Sequence, residues 1–277
     1  MEEISLYNRQ KSEILLPAKD FGSAGSVYLR SRTPRFTDHK RYHLKATLKG
    51  GSFDLINPSV LYEQKWNERL SSSFHAEVVN ASGKYKYRYK RVYPHTDQVM
   101  YDTTAIRQNG DIYATRLEMG IYGNLPQGYW RWKAYFYDSN KGIPGAIVNN
   151  KWKNSQRQKD RNFFTQGTYQ QTLSKKWDLQ AHLKYAYDYM NYVNPDTTLM
   201  LIDNTFKQQE VYLSVANKYA VNRWWDIALS TDMQYNTLRS DLDGFVYPSR
   251  ITTLVAAATA IDLGKFKMQG SILATFV

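Results

Sequence analysis

The sequence predicts an all-β fold, an antiparallel transmembrane β-barrel wall of about eleven strands, and three observations predict it. Apolar and polar side chains alternate with a period of two along most of the 277 residues. Tight turns, usually beside a tryptophan, alternate with long polar connections, so consecutive strands run between two different environments. Mean hydropathy is only -0.61 although 15% of the chain is aromatic and 23 residues are Tyr. A wall with one lipid face, one wet face and aromatic belts at both interfaces has this average.

The first ten residues hold no cationic stretch followed by an apolar one, so they are not a secretory signal. An exported barrel needs one, and the expectation is that the chain lacks its natural beginning. The first forty residues do not alternate like wall strands.

From residue 41 the alternation is regular. In 41–49, Tyr42, Leu44, Ala46 and Leu48 share one face, and His43, Lys45, Thr47 and Lys49 the other. A strand over 53–64 follows, then one in which Leu70, Phe74, Ala76 and Val78 oppose His75 and Glu77. Next, Tyr113, Leu117, Met119 and Ile121 oppose Arg116 and Glu118, and Trp130, Trp132, Ala134 and Phe136 oppose Arg131 and Lys133. Strands over 161–173 and 177–187 come next, the latter placing Leu179 and Leu183 against His182 and Lys184. Val211, Leu213 and Val215 mark another, and Ile227, Leu229 and Met233 oppose Asp232 in the next. Two less polar strands, 251–262 and 266–277, bring the count to eleven. A helix would scatter these charges around every face.

Short turns are expected near 65–68, 125–128, 174–177, 221–224 and 263–265, and long connections over 83–110, 139–160, 190–206 and 239–249. Six of the seven Trp lie by the short turns, and Tyr135, Tyr137, Tyr185, Tyr187, Tyr189 and Tyr235 lie toward the opposite ends, as two girdles. An odd strand count and a last strand in which Val277 follows Phe276 suggest an interrupted barrel, because single-chain bacterial barrels usually have even counts.

Several chemistries are excluded or disfavoured. Without Cys there is no disulfide framework, thiolate zinc site or thiol nucleophile. The five His lack zinc-site spacing, no Gly-x-Ser-x-Gly elbow or Gly-rich phosphate loop is present, and no enzyme activity or cofactor is expected. Ser240-Asp241-Leu242-Asp243-Gly244 begins like a calcium loop but lacks the remaining ligands and reads as an Asp-Gly turn. No run of about 20 apolar residues forms a helical span.

The net charge of +12 is distributed over wet strand faces and loops rather than one groove, which favours anionic surfaces over nucleic acid. In Gly83-Lys84-Tyr85-Lys86-Tyr87-Arg88-Tyr89-Lys90-Arg91, cations and rings alternate as they do in single-stranded nucleic-acid binders. At period two the stretch reads instead as a strand above the membrane, its cations facing lipopolysaccharide phosphates, an anionic ligand or solvent. Tyr85, Tyr87, Arg88, Tyr89, Tyr93, His95 and Trp152, in outward loops, are the candidate ligand-binding residues.

Two stretches carry a resemblance. Ser12 through Pro17, with Asp20-Phe21-Gly22-Ser23-Ala24-Gly25-Ser26-Val27-Tyr28-Leu29-Arg30-Ser31-Arg32, resembles the end of the plug of TonB-dependent outer-membrane receptors. Tyr137-Asp138-Ser139-Asn140-Lys141-Gly142-Ile143-Pro144-Gly145-Ala146-Ile147-Val148-Asn149-Asn150, with Trp152 and Asp160-Arg161-Asn162-Phe163-Phe164, resembles an outward loop of the Bacteroidota type of that family, and Tyr101-Asp102-Thr103-Thr104-Ala105 adds to the likeness. The resemblance implies a wall of about 22 strands around a plug. Residues 1–38 would then be the end of the plug and a linker, and 39–277 the N-terminal half of the wall. It further implies active import of a scarce nutrient, cobalamin first or an iron chelate, with TonB engaging a segment absent from these residues. The implied partners are outer-membrane lipid, lipopolysaccharide, a small nutrient ligand and a surface lipoprotein, in a Gram-negative outer membrane. Two other readings compete: a passive porin or complete small barrel, and a soluble all-β binding domain whose Leu179, Leu183, Leu213 and Leu229 faces pack into a dry core.

Overall fold

The computed structural model describes residues 3–8, 13–23, 25–30, 32–37, 39–145, 155–195 and 201–277. Its first part holds β1 (Glu3–Asn8), a single helical turn α1 (Ala18–Phe21) and β2 (Gly25–Arg30), with β1 and β2 paired antiparallel. Then come β3 (Tyr42–Gly51), β4 (Leu55–Lys65), β5 (Leu70–Ala81), β6 (Lys86–Val92), β7 (Val99–Ile106), β8 (Ile112–Leu125) and β9 (Gly128–Ile143). The chain finishes with β10 (Gln156–Ser174), β11 (Trp177–Asn194), β12 (Ile202–Ala220), β13 (Trp225–Ser240), β14 (Ser249–Asp262) and β15 (Lys267–Phe276).

Eleven of these strands form one antiparallel sheet in the order β15-β14-β13-β12-β11-β10-β9-β8-β5-β4-β3, and β6 and β7 form a separate hairpin inserted between β5 and β8. Every neighbour in the large sheet except β5 and β8 is consecutive in sequence or joined by a single turn, the arrangement of a barrel wall. All five expected short turns are present. The strands nevertheless run further into the long connections than the alternation alone indicates, with β9 reaching Ile143, β10 starting at Gln156, β11 reaching Asn194 and β12 starting at Ile202. Ladder hydrogen bonds continue there because pairing needs only a neighbouring backbone, not an apolar face.

The link between β3 and β4 departs from the expected alternation. It lies on the side of the long connections yet is tight, with Phe53 at φ 67° and Asp54 at φ 59°. Two successive left-handed residues give a turn whose twist matches the flanking strands, so three residues suffice.

Register assigns the two faces. Leu183 pairs with Leu213, Leu213 with Met233 and Met233 with Thr253, so one face of this part of the sheet is apolar. Leu183, Leu213 and Leu229 are 57%, 45% and 54% exposed, and among the described residues no second sheet covers them. The dry-core sandwich is therefore not the fold. Across the sheet His182 faces Ser214 and Ser214 faces Asp232, the wet row behind the apolar one.

Ion pairs knit this inner face: Arg116 to Glu77 at 2.6 Å, Lys184 to Glu210, Lys218 to Asp178 and Lys141 to Asp160 each at 2.9 Å. The Tyr girdle divides by parity. Tyr185, Tyr187 and Tyr235 stand on the apolar face, but Tyr135 and Tyr137 point inward, where Tyr135 stacks on Phe164 at 5.1 Å and the Tyr137 ring lies 6.0 Å from the Arg116 guanidinium. Half a turn of β-pleat separates the two groups, so counting Tyr near strand ends without following the register overstates the belt.

The segment before the wall docks on this inner face. Ile14 packs with Ala228 and Ala258, and Phe21 and Ala260 flank them. Small side chains on β13 and β14 leave room for the segment to approach. Further along, Arg32 meets Glu63 of β4 at 2.7 Å, and His43 approaches the same carboxyl at 3.3 Å.

Candidate functional site

The outward end of the sheet carries the candidate site, and the β6–β7 hairpin is its largest element. Gly83 and Gly110 make its neck. A Cβ on Gly83 would collide with the Gly110 carbonyl, and Gly83 sits at φ 60°, so only glycine serves at this crossing. The paired strands β6 and β7 then carry their side chains to two sides, as period two requires.

On one side the rings form a row. Phe53 and Tyr85 lie 5.6 Å apart, Tyr85 and Tyr87 6.1 Å, and Tyr89 and Tyr101 5.3 Å. The Arg107 guanidinium stands 6.0 Å from the Tyr87 ring and donates to the carbonyl of Gly145. Such a row of rings edged by a guanidinium takes flat, conjugated or cationic-faced molecules.

The other side is basic. Arg88 lies there, not with the tyrosines, and is bound to Asp102 through Nε at 2.7 Å and Nη2 at 2.5 Å. This bidentate pair holds the Asp102 carboxyl below its ordinary range and raises the guanidinium, mainly through the shared hydrogen bond. Lys86 and Lys90 flank it, and both are exposed.

The candidate residues thus separate. Tyr85, Tyr87 and Tyr89 come together, Arg88 faces away, and Tyr93 and His95 belong to the hairpin tip, with Tyr93 donating its N–H to Gln98 O at 3.0 Å and His95 at φ 64°. Trp152 lies outside the described residues.

Below the hairpin the loops are braced by groups that sequence reading did not single out. Asn109, at φ 60°, donates through Nδ2 to Ile143 O at 3.0 Å and Gln156 O at 2.7 Å. Arg157 donates to Asp111 at 3.2 and 2.8 Å and to Asn140 at 3.1 and 2.9 Å. The guanidinium holds the Asp111 carboxyl below its usual range. These bonds fix where the hairpin leaves the wall. Signals for them exist only as isolated polar residues; nothing in the spacing joins 109 to 156.

The Asp-Gly turn after β13 is also a brace. Asp241 accepts the Thr205 N–H at 2.7 Å, which lowers its carboxyl and ties the connection after β13 to the outward end of β12. That carboxyl is committed to a backbone donor, and no cluster of metal-ligating groups occurs among the described residues.

No family model and no curated protein sequence matches the chain. Solved structures do. The chain is similar to "Copper transporter OprC", with TM-score 0.64 and 11% identity over 98% of this chain and 41% of that one. It is also similar to the siderophore receptor PiuA from Acinetobacter baumannii, with TM-score 0.56 and 9% identity over 99% of this chain and 50% of that one. The chain therefore spans half or less of each protein's length, and at these identities the likeness is one of fold: an outer-membrane β-barrel wall.

Proposed function

We propose that the chain forms part of the wall, with the end of the plug, of a TonB-dependent outer-membrane receptor that imports a scarce nutrient. One observation carries the reading. A segment ahead of the wall, residues 13–22, is hydrogen-bonded and packed onto the inner face of strands more than 200 residues later, as a plug element is and as the lining of an open passive pore is not. The likeness to a copper transporter and to a siderophore receptor supports the class.

In this reading the Tyr85, Tyr87 and Tyr89 row receives the nutrient, a cobalamin or an iron chelate, whose conjugated ligand suits stacked rings. Tyr93 and His95 of the tip, with Trp152, complete the proposed contact set. Lipopolysaccharide surrounds the outward end, a surface lipoprotein assists capture, and TonB acts through a segment outside these residues. Residues 1–38 belong to the plug and linker, and 39–277 supply half of a wall of about 22 strands. Both edge strands, β3 and β15, run outward, so an antiparallel closure takes an odd number of further strands, as eleven would be. No chemistry on a substrate is assigned to it.

The test is uptake of radiolabelled cobalamin and of a ferric siderophore by cells expressing the whole receptor, with and without a protonophore. Saturable uptake abolished by the protonophore, and weakened about tenfold in apparent affinity by Tyr87→Ala with Tyr89→Ala, is expected. Non-saturable uptake indifferent to the protonophore would instead establish the porin reading.

A further inference from the structure

We propose that the outward apolar face of β11–β15, next to the short turns, is a binding site for one anionic glycerophospholipid of the inner leaflet. Two independent features converge there, and both follow from the sequence through the register.

The first is a groove of about 740 Å³, a size within the ~300–1,000 Å³ of small-molecule sites. Register builds it in two rows. Trp177, Tyr219, Ile227, Thr259 and Gly270 follow one another across five strands, and Asn217, Leu229, Ala257 and Ile272 form the row above. Large side chains stand at the rims while Ala257, Thr259 and Gly270 make the floor. Space above Gly270 is open: an added Cβ there meets only Thr259 Cγ2, at 3.9 Å. Polar contacts lie along it: Trp177 Nε1 donates to Asn217 Oδ1 at 3.1 Å, and Trp225 Nε1 to Thr259 Oγ1 at 2.9 Å. The lining is continuous with the apolar face of the wall, so its occupant comes from the hydrocarbon phase, and a narrow apolar furrow suits an acyl chain.

The second feature is charge. The three short turns at the foot of this groove carry Lys175 and Lys176, Arg223, and Lys265, all exposed, and their connecting residues include no acid. The other short turns differ: at 66–69 the Glu68 carboxyl is paired with Lys65 at 2.8 Å, and Pro126-Gln127 has no charge. Hydrogen bonds to backbone carbonyls bring the basic turns together. Lys176 Nζ donates to Val221 O at 3.3 Å, and Asp262 N–H to Trp224 O at 2.9 Å. Two acids at that end are paired, Asp262 with Lys267 at 2.7 Å and Asp178 with Lys218 at 2.9 Å. Cations at the interface attract headgroup phosphate, and stacked Trp224 and Trp225, 6.3 Å apart, lie at the same level. An acyl chain in the groove therefore places its phosphate over these turns.

The inference uses the wall's membrane setting but not the nutrient, so it is tested without one. The whole receptor, extracted from outer membranes and washed in detergent, is examined by native mass spectrometry, then titrated with mixed micelles containing phosphatidylglycerol or phosphatidylcholine. The wild type is expected to retain one phospholipid and to prefer phosphatidylglycerol about tenfold. Gly270→Phe, which fills the floor, abolishes retention. Arg223→Glu with Lys265→Glu, confined to exposed turns, keeps the chain contact and erases the headgroup preference. Ala46→Phe, on the same face of β3 outside the groove, changes neither. Equal retention in the wild type and both groove variants, or equal loss in Ala46→Phe, overturns the proposal, since either marks ordinary annular lipid. Were Gly270→Phe to fail to fold, the turn variant alone decides: an unchanged headgroup preference overturns it. Failure here leaves protonophore-sensitive uptake untouched, so the two readings fail separately.

Discussion

The Asp232 carboxyl group accepts the backbone N–H of Ala18 at 3.0 Å, joining residues 214 apart in sequence. It also accepts the Lys19 N–H at 2.9 Å and the Tyr212 hydroxyl at 2.9 Å, while Ser230 Oγ donates to Leu16 O at 2.6 Å. Asp232 is 1% exposed, and the Lys19 ammonium lies 4.0 Å above the Tyr212 ring. A segment that buries Ile14, Leu15 and Ala18 against the wall is thereby also held by directed bonds. Asp232→Ala strands three donors in a buried place, and a bond to such a group is worth about 1.5–3 kcal/mol. Amide exchange at Ala18 and Lys19 is expected to accelerate at least about tenfold, with β9–β11 unchanged. Unaltered protection would mean that packing of Ile14 and Phe21 alone holds the segment.

Arg88 and the tyrosine row face opposite ways, so their substitutions separate. Arg88→Met breaks an exposed, solvent-screened pair and is expected to leave affinity for the proposed ligand within about twofold. Tyr87→Ala with Tyr89→Ala lowers affinity strongly. Equal losses, measured by titration calorimetry, would place the ligand on the basic side.

At the hairpin neck, Gly83→Ala introduces both a left-handed alanine and a collision with Gly110. The cost is about 1–3 kcal/mol, localised to the loop. Limited proteolysis between residues 84 and 108 is expected to quicken while the wall stays resistant.

The Asp111–Arg157 brace gives a pH dependence of known sign. Asp111 titrates below the ordinary carboxylate value of about 3.9 when folded, because it accepts hydrogen bonds from Arg157. Its contribution is therefore complete above about pH 4 and disappears as the pH falls through the lower folded value. Loop order monitored by NMR is expected to be flat from pH 7 to about 5 and to drop below 4. Arg157→Met removes that acid transition; if the transition persists unchanged, another group is responsible.

The wall was legible because a strand's two faces meet two solvents, so His182 beside Leu183 states the register directly. Strand ends were not legible. Beyond the apolar zone, residues such as Gln156 and Asn194 stay in the ladder although apolar and polar side chains no longer alternate there, which leaves no pattern. The tight Phe53–Asp54 turn was hidden since neither residue is Gly or Asn, the usual left-handed pair. Of the candidate site, the alternation in 84–90 gave the hairpin strand and the common face of Tyr85, Tyr87 and Tyr89. It also put Arg88 opposite them. Partners distant in sequence, Phe53, Tyr101 and Arg107, depend on how the hairpin folds back and carry no local signal, and the same holds for Asp232 and Ala18.

Adjacent residues Leu183 and Lys184 test the central claim most directly, since the first stands on the apolar face and the second on the wet one, bound to Glu210 at 2.9 Å. Each is replaced by Cys in the whole protein in lipid vesicles, spin-labelled, and probed with oxygen and with a water-soluble nickel chelate. The account predicts a label at 183 relaxed by oxygen and shielded from nickel, with the lower oxygen response at 184. A label at 183 more accessible to nickel than to oxygen would contradict it.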